Sequence, residues 1–394
     1  MPVTGSLTRK MSPARSAAFD TLEAVAGGAY ASDALRRGSR HLAGHDAGLA
    51  AQIVFGCLRY QSQLDYLIFY YSSRSAEELD LAVRLALRAG IFQLRYLERI
   101  PAHAAVDESV EFVKTRKRAA TGFTNAVLRK VNRKPVQWPD EATELSCPVW
   151  LLERWRVHFG PEAARGIATA ALQEPIPYIR IPPGLSGPPE LQAEPTSVPG
   201  AHRLLTEHPP GQRLHDISSQ AIIPLLNLRP GDTYLDLCAA PGNKTSQALE
   251  TPLALAVACD ISVKRIRDIS PVCLRVVLDA SEPLPFAIEF QRIFIDAPCS
   301  GTGTLARNPE IKWRLKGTDL ERFHEMQLAI VSQAVSVLAP AGKLLYATCS
   351  LEREENEDVI RDFLDQHPSF RCTREVWRLP GRDEGDGFYA AVLE

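Results

Sequence analysis

The chain has 394 residues, 45% hydrophobic and 23% charged, a globular composition with room for two or three domains. It holds no run of 18 apolar residues and its start lacks the apolar centre of a signal peptide, so no membrane partner is expected and the expected location is the cytoplasm. The net charge of −2 is uneven: residues 1–135 hold 20 Lys+Arg against 12 Asp+Glu, which a polyanion partner and a merely solvated basic surface explain equally well.

The first third reads as helical. Ser12 is placed to cap a helix that has Pro13 at its first position and ends at Gly27-Gly28. Further helices are expected at 47–60 and 64–71, then a long apolar helical segment stopping before Pro101, then "HAAVDESVEFVKTR" and "ATGFTNAVLRKVNRK". Short connections make this an all-α bundle. "LALRAGIFQLRYLERIPAHAAVDESVEFVK" with "GFTNAVLRKVNR" resembles the RNA-binding NusB domain. That resemblance implies that the basic surface faces RNA, with Arg116, Lys117, Arg118, Arg129, Lys130, Arg133 and Lys134 as its densest part.

A helical stretch follows near "PVWLLERWRVHFGPEAARGIATAALQ", then a strand at "IPYIRIPPG", then a proline-rich segment, 182–200, expected as loop. Beyond residue 214 the pattern changes. "TYLDLCAA", "LALAVACD", "LRVVLDA", "RIFIDAP" and "GKLLYATCS" alternate with helical segments, which signals βαβ units and a parallel sheet. "FYAAVLE" is expected as a last, antiparallel edge strand.

Ligands bind at the carboxyl edge of such a sheet. After the first strand, Cys238, Ala239, Ala240, Pro241, Gly242, Asn243 and Lys244 form a small-residue turn that opens a helix; it lacks the P-loop pattern. Asp260 ends the second strand, where an acid can accept ribose hydroxyls, and Asp279 ends the third. Asp296 and Cys299 follow the fourth, and Cys349 the fifth, so both thiols are expected at one cleft. The chain has eight cysteines without a CxxC or zinc spacing, so free thiols and no metal are expected.

"DLCAAPGNKT", "DAPCSGTGT" and "YATCS" resemble the class I RNA cytosine-C5 methyltransferases, and "ARNPEIKWRL" is similar to that family's R-x-x-P-[DE]-x-K-W segment. Together with the NusB-like part, the chain resembles the bacterial Sun/RsmB type, which methylates 16S rRNA with S-adenosyl-L-methionine and no metal. The resemblance implies an α + α/β multidomain protein. Its parts are a NusB-like all-α bundle (1–135), a small α+β linker and pre-catalytic subdomain (136–213), and a Rossmann-like class I methyltransferase domain with a mostly parallel seven-stranded sheet (214–394). A monomer is expected.

By the same resemblance, Cys238 to Lys244 hold the methionine part of the cofactor, Asp260 its ribose and Asp279 its adenine. Asp296, Cys299 and Cys349 form the reaction centre, and Lys244 binds substrate or supports that centre. Cytosine C5 becomes nucleophilic once a thiolate adds to C6. A protonated Asp296 suits the charge that develops at N3. DNA enzymes attack with the Pro-Cys thiol, whereas the RNA family attacks with the Thr-Cys thiol, so Cys349 is the expected nucleophile and Cys299 is expected in product release. The family's Gly-Gly-Lys is Gly242-Asn243-Lys244 in this chain, and Asn tolerates a left-handed backbone. The rival readings are an RNA-binding assembly protein with an inactive methyltransferase fold, a tRNA methyltransferase, and a DNA methyltransferase, which the Ser300 after Cys299 disfavours.

Overall fold

A computed structural model describes residues 11–187, 191–206 and 213–394. They divide into two compact units, Met1–Arg154 with Asn308–Trp313, and Trp155–Arg307 with Arg314–Glu394.

The first unit is helical: α1 (Pro13–Ala26), α2 (Ala31–Gly38), α3 (Gly44–Arg59), α4 (Gln61–Ser72), α5 (Leu81–Tyr96), α6 (Ala102–Arg116), α7 (Thr121–Leu128) and α8 (Glu141–Glu144). Its core is built on α5, where Ala86, Leu87, Ala89 and Ile91 are fully buried. Phe19 of α1 stacks on Phe112 of α6 with ring centroids 4.1 Å apart. A Cβ at Gly56 would fall 1.9 Å from the Phe92 ring, so glycine is what lets α3 lie against α5. Ser12 does not cap α1 with its side chain. Its hydroxyl donates instead to Glu108 Oε2 at 2.6 Å, because a half-buried carboxylate that also takes Arg15 Nη1 at 3.0 Å competes for it. The helix α2 lay outside the expected set, and the long segment before Pro101 is a short 3-10 turn followed by α5.

Asn308–Trp313 packs with this helical unit although it follows the fourth strand of the parallel sheet in sequence. Trp313 Nε1 donates to Leu58 O at 2.6 Å, and Lys312 Nζ to Arg59 O at 2.9 Å, so both satisfy the last carbonyls of α3. Glu310 Oε1 accepts from Ala31 N at 2.9 Å, the first amide of α2.

The chain continues through α9 (Val149–Phe159) and α10 (Pro161–Ala170), separated by Gly160 in the left-handed region at φ 86°. A three-stranded antiparallel sheet follows, made of β1 (Tyr178–Arg180), β2 (Ala193–Pro195) and β3 (Ala201–Leu204) in the order β1-β3-β2. The proline-rich segment therefore contributes a strand; its residues 188–190 lie outside the described residues. A helical turn α11 (Ile217–Gln220) leads to β4 (Thr233–Asp236), α12 (Asn243–Ala248), β5 (Leu255–Asp260), β6 (Leu274–Val277) and β7 (Phe290–Asp296). Then come α13 (Ile311–Arg314), α14 (Gly317–Val335), β8 (Leu338–Thr348), α15 (Glu357–Gln366), β9 (Cys372–Arg378) and β10 (Phe388–Leu393).

These strands form a seven-stranded sheet in the order β6-β5-β4-β7-β8-β10-β9. Strands β4 to β8 run parallel. β10 is antiparallel, but it is not the edge: it pairs with β8 on one side and β9 on the other. Its composition explains this, since all six of its residues are buried and an edge strand would expose some of them. The centre of the sheet is covered on both faces, with Ile293, Phe294, Ile295, Leu344, Leu345 and Tyr346 fully buried.

Candidate active site

The carboxyl ends of β4, β7 and β8 bring the chemistry-bearing residues together. After β4 the chain turns at Gly242, left-handed at φ 97°, and starts α12 at Asn243. Asn243 is thus the first helical residue and needs no left-handed backbone; its Nδ2 donates to Leu214 O at 2.9 Å. Asp236, fully buried at the end of β4, accepts from Thr245 Oγ1 at 2.7 Å and from Tyr234 OH at 3.3 Å. Burial pushes its carboxyl up to about 7 against the pull of the Thr245 hydrogen bond. Its other oxygen, Oδ1, is a buried acceptor with no partner among the described residues.

Lys244, in the first turn of α12, reaches across to β7 and donates to Asp296 Oδ2 at 2.7 Å. Burial alone lowers its pKa, but Asp296, Cys349 and Asp236 outweigh that and hold the proton on the ammonium. The ammonium also lies 4.9 Å from the centre of the Phe388 ring. A cavity of about 80 Å³ is lined by Asp236, Cys238, Asn243, Lys244 and Asp296, among others.

Cys299 and Cys349 meet as the sequence anticipates, with their sulfurs 3.4 Å apart. The Cys299 thiol is held well above its ordinary pKa, first by the hydrogen bond to Cys349, then by burial, then by the charges of Cys349 and Glu355. The turns that carry them interlock: Gly303 N donates to Cys349 O at 2.9 Å, and Gly387 N donates to Gly303 O at 2.7 Å. A Cβ at Gly303 would lie 2.4 Å from Gly387 O and 2.8 Å from Cys349 O.

Asp260 and Asp279 stand apart from this centre. Asp260 is buried and ties the turns together, accepting from Ser262 N at 2.8 Å, Ala240 N at 3.2 Å and Arg265 Nη2 at 2.8 Å. Asp279 is exposed and caps its own turn, accepting from Ser281 N at 3.0 Å and Ser281 Oγ at 2.6 Å, bonds that lower its pKa. Several of the basic residues expected to face RNA have local duties. Arg133 donates to Leu94 O and Leu97 O, Lys130 to Tyr71 O, and Arg116 pairs with Glu23. Two residues went unnoticed in the sequence. Arg307 is clasped by Asp216 at 2.6 Å and Asp386 at 2.7 Å, and Glu355 lies beneath the two thiol turns. The only signal for Arg307 is its place at the head of the "RNPEIKW" segment.

Comparison with known proteins agrees with both halves. The model of the NusB family matches residues 12–133, and that described as 16S rRNA methyltransferase RsmB/F matches residues 223–394. Ribosomal RNA small subunit methyltransferase B of Cronobacter sakazakii is 32% identical, over 88% of this chain and 90% of its own length. The protein of the same name from Erwinia tasmaniensis is 32% identical over 98% of this chain and 99% of its own. A crystal structure of PH0851 shares the fold with a TM-score of 0.80, at 21% identity over 98% of this chain and 99% of that one. A NusB-type helical unit, a seven-stranded methyltransferase sheet and relatives matched over nearly their full length together show that this chain belongs to the RsmB/Sun family of ribosomal RNA methyltransferases.

Proposed function

We propose that the protein methylates C5 of a cytosine in 16S rRNA through a covalent cysteine adduct, with S-adenosyl-L-methionine as methyl donor. The observation that carries this reading is the pair of thiols 3.4 Å apart beside the Lys244–Asp296 ion pair. The residues present fit the cofactor: Asp236 Oδ1 is an unpartnered buried acceptor, and Asp236 lines the 80 Å³ cavity, which suits the cofactor's ammonium group. Cys238 to Lys244 would hold the methionine part, and Asp260 the ribose after Arg265 gives up its bond. Asp279 would serve the adenine. Bound there, the cofactor supplies an electrophilic methyl group.

Cys349 is the nucleophile in this reading, as the likeness to the RNA enzymes' Thr-Cys segment implies, and the Lys244 ammonium interacts with it. Its sulfur forms a bond to C6, and the displaced electron pair enriches C5. Negative charge developing at N3 meets the Lys244 proton, which Asp296 orients; the sequence placed that proton on Asp296 itself. Once Cys349 is bonded to carbon, its hydrogen bond no longer retains the Cys299 proton, which passes to solvent. Cys299 then takes the C5 proton, the C5–C6 double bond re-forms, and the C6–S electron pair returns to Cys349. The target base must be unstacked or single-stranded to reach the thiols.

Bisulfite sequencing of rRNA from cells with and without the gene tests the substrate. One 16S cytosine should lose protection when the gene is deleted. Unchanged cytosine methylation throughout the rRNA overturns the 16S assignment, and a change confined to tRNA moves the activity there.

A further inference from the structure

Each reactive cysteine is followed by a serine, and both serines converge on one acid. Glu355, on the 3-10 turn Arg353–Glu355 after β8, is completely buried. It accepts from Ser300 N at 2.7 Å, from the Ser300 hydroxyl, from Ser350 Oγ at 2.5 Å and from Gln327 Nε2 at 3.1 Å. The serine hydroxyls are themselves 3.1 Å apart. These hydrogen bonds favour the carboxylate and work against burial, which pushes the Glu355 pKa up. Burying a charge is costly unless it is fully hydrogen-bonded, and apolar packing would close this space more cheaply.

We propose that Glu355 is a positioning residue: it ties the Cys299 turn to the Cys349 turn, sets the spacing of the two thiols, and by its charge makes Cys299 the one that keeps its proton at rest. The proposal rests on the thiol chemistry proposed above. The charges around the pair are arranged to separate the thiols. Glu355 bonds the amide next to Cys299, whereas the ammonium of Lys244 acts on Cys349. The raised pKa of Cys299, to which Glu355 contributes after Cys349 and burial, agrees with that arrangement. A third strand of the same clamp is Thr302, whose hydroxyl accepts from Leu351 N at 2.8 Å.

Glu355→Gln keeps the shape and removes the charge; Glu355→Ala removes the clamp. In a Cys349→Ala background, iodoacetamide alkylation of Cys299, followed by peptide mass spectrometry across pH, should run about 10-fold faster at pH 8 with Glu355→Gln, as for a pKa lower by one unit. In the otherwise unmodified enzyme, diamide should link Cys299 to Cys349 more slowly with Glu355→Ala than in the parent. For methylation, Glu355→Gln should lower kcat while the KM for RNA stays within about twofold. An alkylation profile unchanged by Glu355→Gln overturns the proposal even if Glu355→Ala fails to fold. Absence of methylation by the parent enzyme on any RNA would sink the thiol chemistry instead, leaving the alkylation and linking rates to judge Glu355.

Discussion

Lys244 does two things at once: it donates to Asp296 and it places a positive charge near Cys349. Lys244→Met is therefore expected to cut kcat, measured at saturating cofactor, by about 100-fold or more. A variant with the parent's kcat would remove Lys244 from the chemistry. Cys349→Ala should abolish both turnover and covalent attachment to RNA, and Cys299→Ala should attack but release poorly, so that an adduct accumulates on a denaturing gel. The reverse pattern exchanges their roles. Asp260→Asn should weaken cofactor binding more than Asp279→Asn, because Asp260 also holds two backbone amides of the cofactor turn and its neighbour whereas Asp279 caps only Ser281; calorimetry showing equal losses would contradict that. The paired thiols were legible in the sequence because each follows an apolar strand. Glu355 was not, because it reads as one acid in the run "EREENED" and its meaning depends on two serines far apart in the chain.

Strands announced themselves where both faces are buried, since β7 carries the apolar run Ile293–Ile295 and β8 the run Leu344–Ala347. β9 and β2 stayed hidden: β9 is at the edge and only half-buried, and β2 is three residues in a proline-rich stretch. The position of β10 inside the sheet depends on a pairing with β9 that no local pattern records. Lys312, in the Asn308–Trp313 strap that packs with the helical unit, gives a titration that can be measured. It is 1% exposed, and burial pulls its amine down to about 8 from 10.5. Between pH 8 and 10.5 the unfolded chain binds more protons than the folded one, so this residue's contribution to stability rises with pH across that window and its penalty is fullest below pH 8. Urea unfolding of the protein and of Lys312→Met should show a stability difference that shifts toward the parent by on the order of 3 kcal/mol from pH 7.5 to 10.5. A difference flat with pH would mean that Lys312 titrates normally.

At the scale of the molecule, the same strap makes the helical unit discontinuous in sequence. Residues 11–154 made alone should be less stable than the complete unit, by about 1 kcal/mol for each of the three strap hydrogen bonds. A synthetic peptide spanning 305–316 should raise the fragment's Tm, and the Trp313→Ala peptide should raise it less. A Tm indifferent to both peptides would show that the strap contributes nothing to that unit.

Synthesis adds a clock to this arrangement. The helices leave the ribosome first, but the peptide that seals the start of α2 and the end of α3 is made some 150 residues later. At about 5–20 residues per second, that is a delay on the order of ten seconds. During it the nascent helical unit has bare helix ends, open to chaperones and to misfolding. Its maturation is thus timed by translation of the loop that leads from Cys299, and a rare-codon stretch anywhere between would lengthen the wait.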